Sequence, residues 1–386
     1  MIGPVFWTFL RLGMTSFGGP LAHIGFFRRE IVERRRWLDT DDFTELLAIC
    51  QFLPGPASSQ LGFAIGLRHA GLAGGIAAWV GFTLPSALLM YAAACGLATL
   101  AGPVGSGIIH GLKLAAVAIV AQAVFDMART QASDAVRLGL AVLAAIIVAL
   151  LGGGSGQLLA IVVGALLGRW LCNAPGHFAT APAAGVSRRV GVAALALLML
   201  LLVGGPILAA AGWRWAGLFD AFYRSGVLVF GGGHVVLPML EARVVPSFVS
   251  EEAFLAGYAI AQALPGPLFG FATYLGALAT PGPGGAILAT VAIFLPGLLL
   301  VLGTVPHWDR LRGRAGVRAA IRGANAAVVG VLGWALFTPV ATNALVGIVE
   351  VIVAALALLA LVRYRLPPLV VVMGCAVAGV AITLLP

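Results

Sequence analysis

Arg11 and Arg224 occupy equivalent places in two copies of one pattern. Residues 6–19 read FWTFLRLGMTSFGG and residues 219–232 read FDAFYRSGVLVFGG, identical at seven of fourteen positions. A second motif follows each copy: Gln51-Phe-Leu-Pro54-Gly55-Pro56 and Gln262-Ala-Leu-Pro265-Gly266-Pro267 agree at five of six positions. The chemistry these residues suit is the binding of an anion. A guanidinium presents a planar fork of donors to the oxygens of a tetrahedral oxyanion. A Pro-Gly-Pro break ends one helix and starts another, whose first free N–H groups and positive dipole end attract negative charge. After the first break, Ser58, Ser59 and Gln60 add hydroxyl and amide donors, whereas Leu268 and Phe269 follow the second. Phe17-Gly18-Gly19 and Phe230-Gly231-Gly232 supply glycines at which backbone can approach a ligand closely. Lys113, opposite Asn325 in the repeat, is a third cationic candidate.

Each feature also has a structural explanation. Arg11 and Arg224 can snorkel to an interface, and Arg224 can pair with Asp220 one helical turn away. Lys113 can serve a local pairing, the Pro-Gly-Pro turns can be packing kinks, and Gln51 and Gln262 can bond the carbonyls freed there. His23 and His234 have no repeat counterparts, nor do Glu45 and Glu350, the acids most plausibly at membrane depth. No paired carboxylates, HExxH or nucleophile–base spacing marks a catalytic residue. The four cysteines are scattered without metal-ligand spacing, so neither a metal nor a cofactor is expected. No Walker motif points to ATP hydrolysis.

The elements that must hold these residues follow from composition. Of 386 residues, 61% are hydrophobic and 10% charged, and the mean hydropathy is +1.06. Soluble domains carry about 25% charged residues, so this chain cannot cover a water-facing surface. Apolar segments of about 20 residues recur, long enough to cross a bilayer. A soluble enzyme, collagen and disorder are excluded. The net charge of +9 is explained by topology rather than by nucleic acid, since cytoplasmic loops of membrane proteins collect arginine. Met1-Ile-Gly-Pro lacks the basic stretch and Ala-x-Ala site of a cleavable leader.

Six apolar elements recur in each half, near 5–19, 43–66, 72–98, 104–128, 138–152 and 156–171, then 218–233, 254–277, 285–304, 318–338, 345–362 and 367–385. One unmatched segment, 190–211, lies between. The first two elements of each half are short or broken, and broken backbone at membrane depth belongs in protein or beside a polar cavity. Each is therefore read as a hairpin returning to its starting side. This places eighteen of twenty-three basic residues, from Arg28 to Arg365, on the cytoplasmic side. The expected fold is an all-α polytopic membrane protein of two inverted-topology repeats. Each has two re-entrant or broken helical hairpins and about four transmembrane helices, and one transmembrane helix links them. The domains are residues 1–171, a linker over 172–211 and residues 212–386. Such repeats with broken helices are the usual build of secondary transporters, whose substrate sits where the breaks meet. A passive oxyanion channel and an integral-membrane enzyme acting on a phosphorylated lipid are the competing readings. The expected partners are an oxyanion and the lipid bilayer, with no nucleic acid; a homodimer is compatible with this build.

The motifs Phe17-Gly-Gly-Pro-Leu-Ala-His-Ile24 and Gln51-Phe-Leu-Pro-Gly-Pro-Ala-Ser-Ser-Gln60, with their C-terminal counterparts, resemble the chromate ion transporter family, in its long-chain, two-domain form. The resemblance covers essentially the whole chain. It implies chromate efflux across the bacterial inner membrane, conferring chromate resistance, with sulfate as a structural analogue. The family motif carries over to Phe17, Gly18, Gly19, Pro20, His23, Gln51, Pro54, Gly55, Pro56, Ser58 and Gln60, then to Phe230, Gly231, Gly232, Gln262, Pro265, Gly266 and Pro267. The two halves diverge after the second Pro-Gly-Pro, which argues against a two-fold symmetric ligand cage.

Overall fold

The computed structural model describes residues 2–17, 19–99, 102–172, 186–229, 236–280, 282–308 and 315–384. Among these residues every regular element is helical. The first half comprises α1 (Ile2–Thr15), α2 (Gly19–Arg28, prolonged by a wide turn over Arg29–Arg34), α3 (Thr40–Phe52) and α4 (Ala57–Thr99). It continues with α5 (Gly102–Gln131), α6 (Ala135–Leu151) and α7 (Gly153–Leu171). A single helix, α8 (Arg188–Ala210), precedes the second half. There follow α9 (Arg214–Val227), α10 (Val236–Val244), α11 (Glu251–Ala263) and α12 (Phe271–Ala279). The last helices are α13 (Pro283–Thr304), α14 (Ala315–Ala335), α15 (Ile348–Val362) and α16 (Pro368–Leu384).

Local chemistry accounts for the boundaries. Asp39, Asp134, Ser187 and Ser250 cap α3, α6, α8 and α11, each side chain accepting a backbone N–H three residues on, as short polar residues do at helix starts. Pro54-Gly55-Pro56 stops α3, because proline offers no N–H and clashes with the preceding turn. Helix α4 breaks again at Ala70 (φ −144°) and Gly71 (φ +67°), dividing a short arm, 57–69, from a long arm, 72–99.

Helix α3 and the short arm of α4 form a hairpin whose open ends meet. Arg68 Nη2 lies 3.7 Å from Asp42 Oδ2, and Trp37 stacks on His69 with ring centres 4.2 Å apart. In the second half α11 and α12 are joined likewise, the Tyr274 hydroxyl donating to the Ala253 carbonyl at 3.0 Å. Helices α1 and α2 are also two arms of a hairpin, held by the edge-to-face pair Phe9–Phe27 at 5.4 Å. Residues 5–19 are thus only the first arm of that hairpin. Its second arm runs through the arginine-rich stretch to Arg34 and carries no sustained apolar run for hydropathy to register.

The halves interlock. Helix α16 of the second half packs on α5 of the first, where Gly107 and Gly111 abut the backbone of Gly379 and Cys375. Reciprocally, α7 of the first half packs on α14 of the second, where Gly164 and Gly168 abut Gly323. Five helices among the described residues are long and apolar enough to cross a membrane. The outer faces expose large apolar side chains such as Leu150, Trp170, Leu200 and Ile348. A water-facing surface of this kind would be unfavourable, whereas lipid tails accept it. This is a multi-pass helical membrane protein.

Candidate functional site

The two Pro-Gly-Pro turns are built alike, and each reaches into the opposite half. Gly55 N–H donates to the Val229 carbonyl at 2.7 Å, and Gly266 N–H donates to the Ser16 carbonyl at 3.0 Å. Ser16 and Val229 are equivalent positions, each immediately before a Phe-Gly-Gly motif. Gly55 (φ +125°) and Gly266 (φ +95°) hold backbone conformations that side-chain-bearing residues rarely adopt. The turn of each half is therefore pinned to the hairpin tip of the other.

At the first turn, Gln60 is fully buried, and its Nε2 donates to the Pro54 carbonyl at 2.8 Å and the Gly297 carbonyl at 3.2 Å. Ser58 and Ser59 are also buried, in the first turn of the short arm, where backbone N–H groups lack helical acceptors. Ser59 Oγ and Gln60 Oε1 have no hydrogen-bond partner among the described residues. A buried polar atom left in this state costs about 1–3 kcal/mol, so it marks a place where a further polar group is expected. The candidate site combines the hydroxyls of Ser58 and Ser59 and free backbone N–H groups at a positive helix end with one unpartnered acceptor, Gln60 Oε1, whose own N–H groups satisfy two carbonyls.

At the second turn the same space is filled differently. Position 271, equivalent to Gln60, is phenylalanine, and position 86, equivalent to Gly297, is serine. Ser86 is buried, donates to the Thr83 carbonyl at 3.0 Å, and lies beside Gly266 and Gly270; a methyl on Gly270 would stand 2.8 Å from its Oγ. The polar side chain has moved from the hairpin to the facing helix. Ser16, Ser86, Val229 and Gly297 were not singled out from the sequence. Ser86 and Gly297 each follow a matched proline, Pro85 and Pro296, and that pairing was the available signal.

The remaining candidates are dispersed. Arg11 lies on the exposed face of α1, five residues before Ser16, with no ion-pair partner among the described residues. Arg224 is half-buried and committed: its Nε meets Asp220 Oδ1 at 2.8 Å and its Nη2 donates to the Leu202 carbonyl of α8 at 3.0 Å. Lys113, on α5, is half-buried; Asn325, on α14, donates to Gln131 Oε1 at 3.5 Å. No bond brings Lys113 or Asn325 to either turn among the described residues. Phe17 and Gln51 are exposed, whereas Gln262 bonds the Tyr258 side chain. Pro54 is half-buried, while Gly55, Pro56, Pro265, Gly266 and Pro267 are buried, and Gly19 opens α2. His23 is buried edge-on to Phe82 at 5.3 Å. Gly18, Phe230, Gly231, Gly232 and His234 lie outside the described residues.

Beside the open end of the α3 hairpin is a cleft of about 690 Å³ lined by Arg36, Trp37, Asp42, Arg68 and His69 among others.

A family model described as chromate transporter matches residues 3–169 and again residues 216–380. The chain is 28% identical to a chromate transport protein of Pseudomonas aeruginosa, over 97% of this chain and 91% of that one. It is 27% identical to a chromate transport protein of Cupriavidus metallidurans, over 96% and 90%. It is 29% identical to a probable chromate transport protein of Synechococcus elongatus, over 85% and 82%. No solved structure matches the chain.

Proposed function

Because this chain belongs to the chromate transporter family, we propose that it is a secondary transporter of a tetrahedral oxyanion, carrying chromate outward across the bacterial inner membrane by alternating access, with sulfate as an analogue. The observation that carries this reading is the reciprocal pinning of the two turns, Gly55 to Val229 and Gly266 to Ser16. Two equivalent broken hairpins, each held by the other half, are the arrangement from which opposite access states can be exchanged.

The anion binds at the first turn, where the N–H groups of residues 57–59 and the Ser58 and Ser59 hydroxyls are gathered, while the Gln60 amide holds the turn in place through the Pro54 and Gly297 carbonyls. Pro54, Gly55 and Pro56 shape this cradle, while Phe17 and Gly19 follow Ser16, to which the second turn, Pro265, Gly266 and Pro267, is pinned. Gln51 and Gln262 stand at the entrances. Arg11 supplies charge from the exposed face of α1, which offsets part of the cost of removing a dianion from water. Arg224 acts chiefly through its pair with Asp220. Residues 1–171 and 212–386 are the two repeats, inverted by the crossing of α8, and the arginine-rich loops face the cytoplasm.

The test is uptake of labelled chromate into everted membrane vesicles, with sulfate as competitor. Saturable uptake reduced by sulfate and accelerated by chromate loaded inside the vesicles is expected. Arg11→Ala should raise KM about tenfold, the effect of about 1.4 kcal/mol of lost binding, while Arg224→Ala should lower the amount of folded protein more than KM. Chromate flux equal to that of vesicles lacking the protein would overturn the transport reading.

A further inference from the structure

His110 and Glu350 face each other at a place remote from both turns. The His110 Nε2 on α5 lies 3.4 Å from Glu350 Oε1 on α15, with side chains 20% and 13% exposed. The pair joins the first half to the second. It sits toward the end of α5 remote from Arg129 and the end of α15 remote from Arg363, hence away from the arginine-rich loops. A charge held at such depth is costly unless it is paired or functional.

The repeat sharpens the point. The offset that carries Gly111 onto Gly323 carries His110 onto Arg322, which senses Cys172 together with Asp134 and Arg137, toward the arginine-rich side. One half thus holds a permanent cation where the other holds an imidazole, the side chain whose charge changes between about pH 5 and 8. The titratable and charged groups on the elements packed against this pair are few. Helix α5 itself carries Lys113 one turn on, with Asp126 and Arg129 at its far end. Helix α11 carries Glu251, bonded to Asn343, with Glu252 and Tyr258. Helix α14 carries Arg318 and Arg322, α16 carries Cys375, and α15 carries only Glu350.

Resting on the transport reading above, we propose that the His110–Glu350 pair is the binding site of a coupling proton. A proton from the outer side adds to the neutral Nε2, and the resulting imidazolium and carboxylate tie α5 to α15. When the halves exchange their open side the same proton leaves to water and the tie is released. Glu350 is also the third residue of α15, whose N-cap is Gly347. A glutamate there can cap its own helix, and so can a glutamine, so Glu350→Gln keeps the cap and removes the charge.

The experiment uses the full chain in proteoliposomes, reading chromate flux and internal pH together while the pH opposite the arginine-rich loops is varied between about 5.5 and 8. Wild type should move protons in the direction opposite to chromate. His110→Gln and Glu350→Gln should each abolish both this proton movement and the response to a pH gradient, while chromate-for-chromate exchange without a gradient stays near the wild-type rate. Purified protein in weakly buffered detergent should exchange protons with the medium on adding chromate, and both variants should lose this signal. Retained proton movement in both variants overturns the proposal, as does parallel loss of exchange and coupling, which would mark a structural strut. Chromate flux without protons in wild type also overturns it but leaves the transport reading intact; absence of any chromate flux overturns that reading itself.

Discussion

Gln60 has the most constrained environment at the candidate site. Its amide satisfies two carbonyls, Pro54 beside it and Gly297, which lies 237 positions from Gln60 and in the other half. Glutamate at this position has nearly the same shape but donates nothing and adds a negative charge facing the anion. Gln60→Glu should therefore raise KM for chromate by about tenfold or more, about 1.4 kcal/mol at least, measured as saturation of uptake in vesicles. An unchanged KM would remove Gln60 from the binding site. Arg224 shows how a residue's type misleads when its partner is ignored. The guanidinium was a natural anion ligand on paper, yet Asp220 and the Leu202 carbonyl occupy it, and the i,i+4 spacing that permits this was visible in the sequence.

Among the helices, the broken hairpins depend on two glycines. An alanine at Gly55 would have to adopt φ near +125° and would crowd Gln60 Nε2 at 2.8 Å; at Gly266 it would meet Ser86 Cβ at 3.0 Å. Backbone held in such a region costs about 1–3 kcal/mol per residue. Gly55→Ala and Gly266→Ala should each lower thermal stability in detergent and reduce transport, whereas Gly3→Ala, which meets nothing within 4 Å, should change neither. Equal melting temperatures for all three would show that the turns tolerate rearrangement. The breaks at 54–56 and 265–267 were legible from sequence because proline and glycine act locally. The second arm of the first hairpin was not, since α2 carries Arg28 and leads into the charged turn Arg29–Arg34.

For the whole molecule, the halves differ in burial, and under the proposed alternating-access reading this asymmetry corresponds to one access state. Gln51 is exposed and the first turn is partly so, while residues 265–276 are buried throughout. On that reading the first hairpin side is the open one and the second the closed one. With native cysteines replaced, Gln51→Cys should react with a membrane-impermeant maleimide applied to everted vesicles, and Gln262→Cys should not. Protection of Gln51→Cys together with labelling of Gln262→Cys, from the same side, would reverse the assignment. Both interlocking contacts, α5 with α16 and α7 with α14, join opposite halves, so the proposed exchange of access would have these glycine-lined contacts slide or rotate as units.

Composition and local order were enough to establish a multi-spanning helical protein, its duplication and its two broken hairpins. Transfer free energy, proline chemistry and repeated motifs all act within one segment, so the chain states them directly. Which segments meet is decided by packing between residues far apart in sequence, and no local pattern encodes it. That is why only the tertiary structure paired Gly55 with Val229, compensated Arg224, set Ser86 in the place of Gly297 and brought His110 to Glu350. The candidate anion site was proposed from a set of residue types; which of them stand together depends on which half each turn is pinned to.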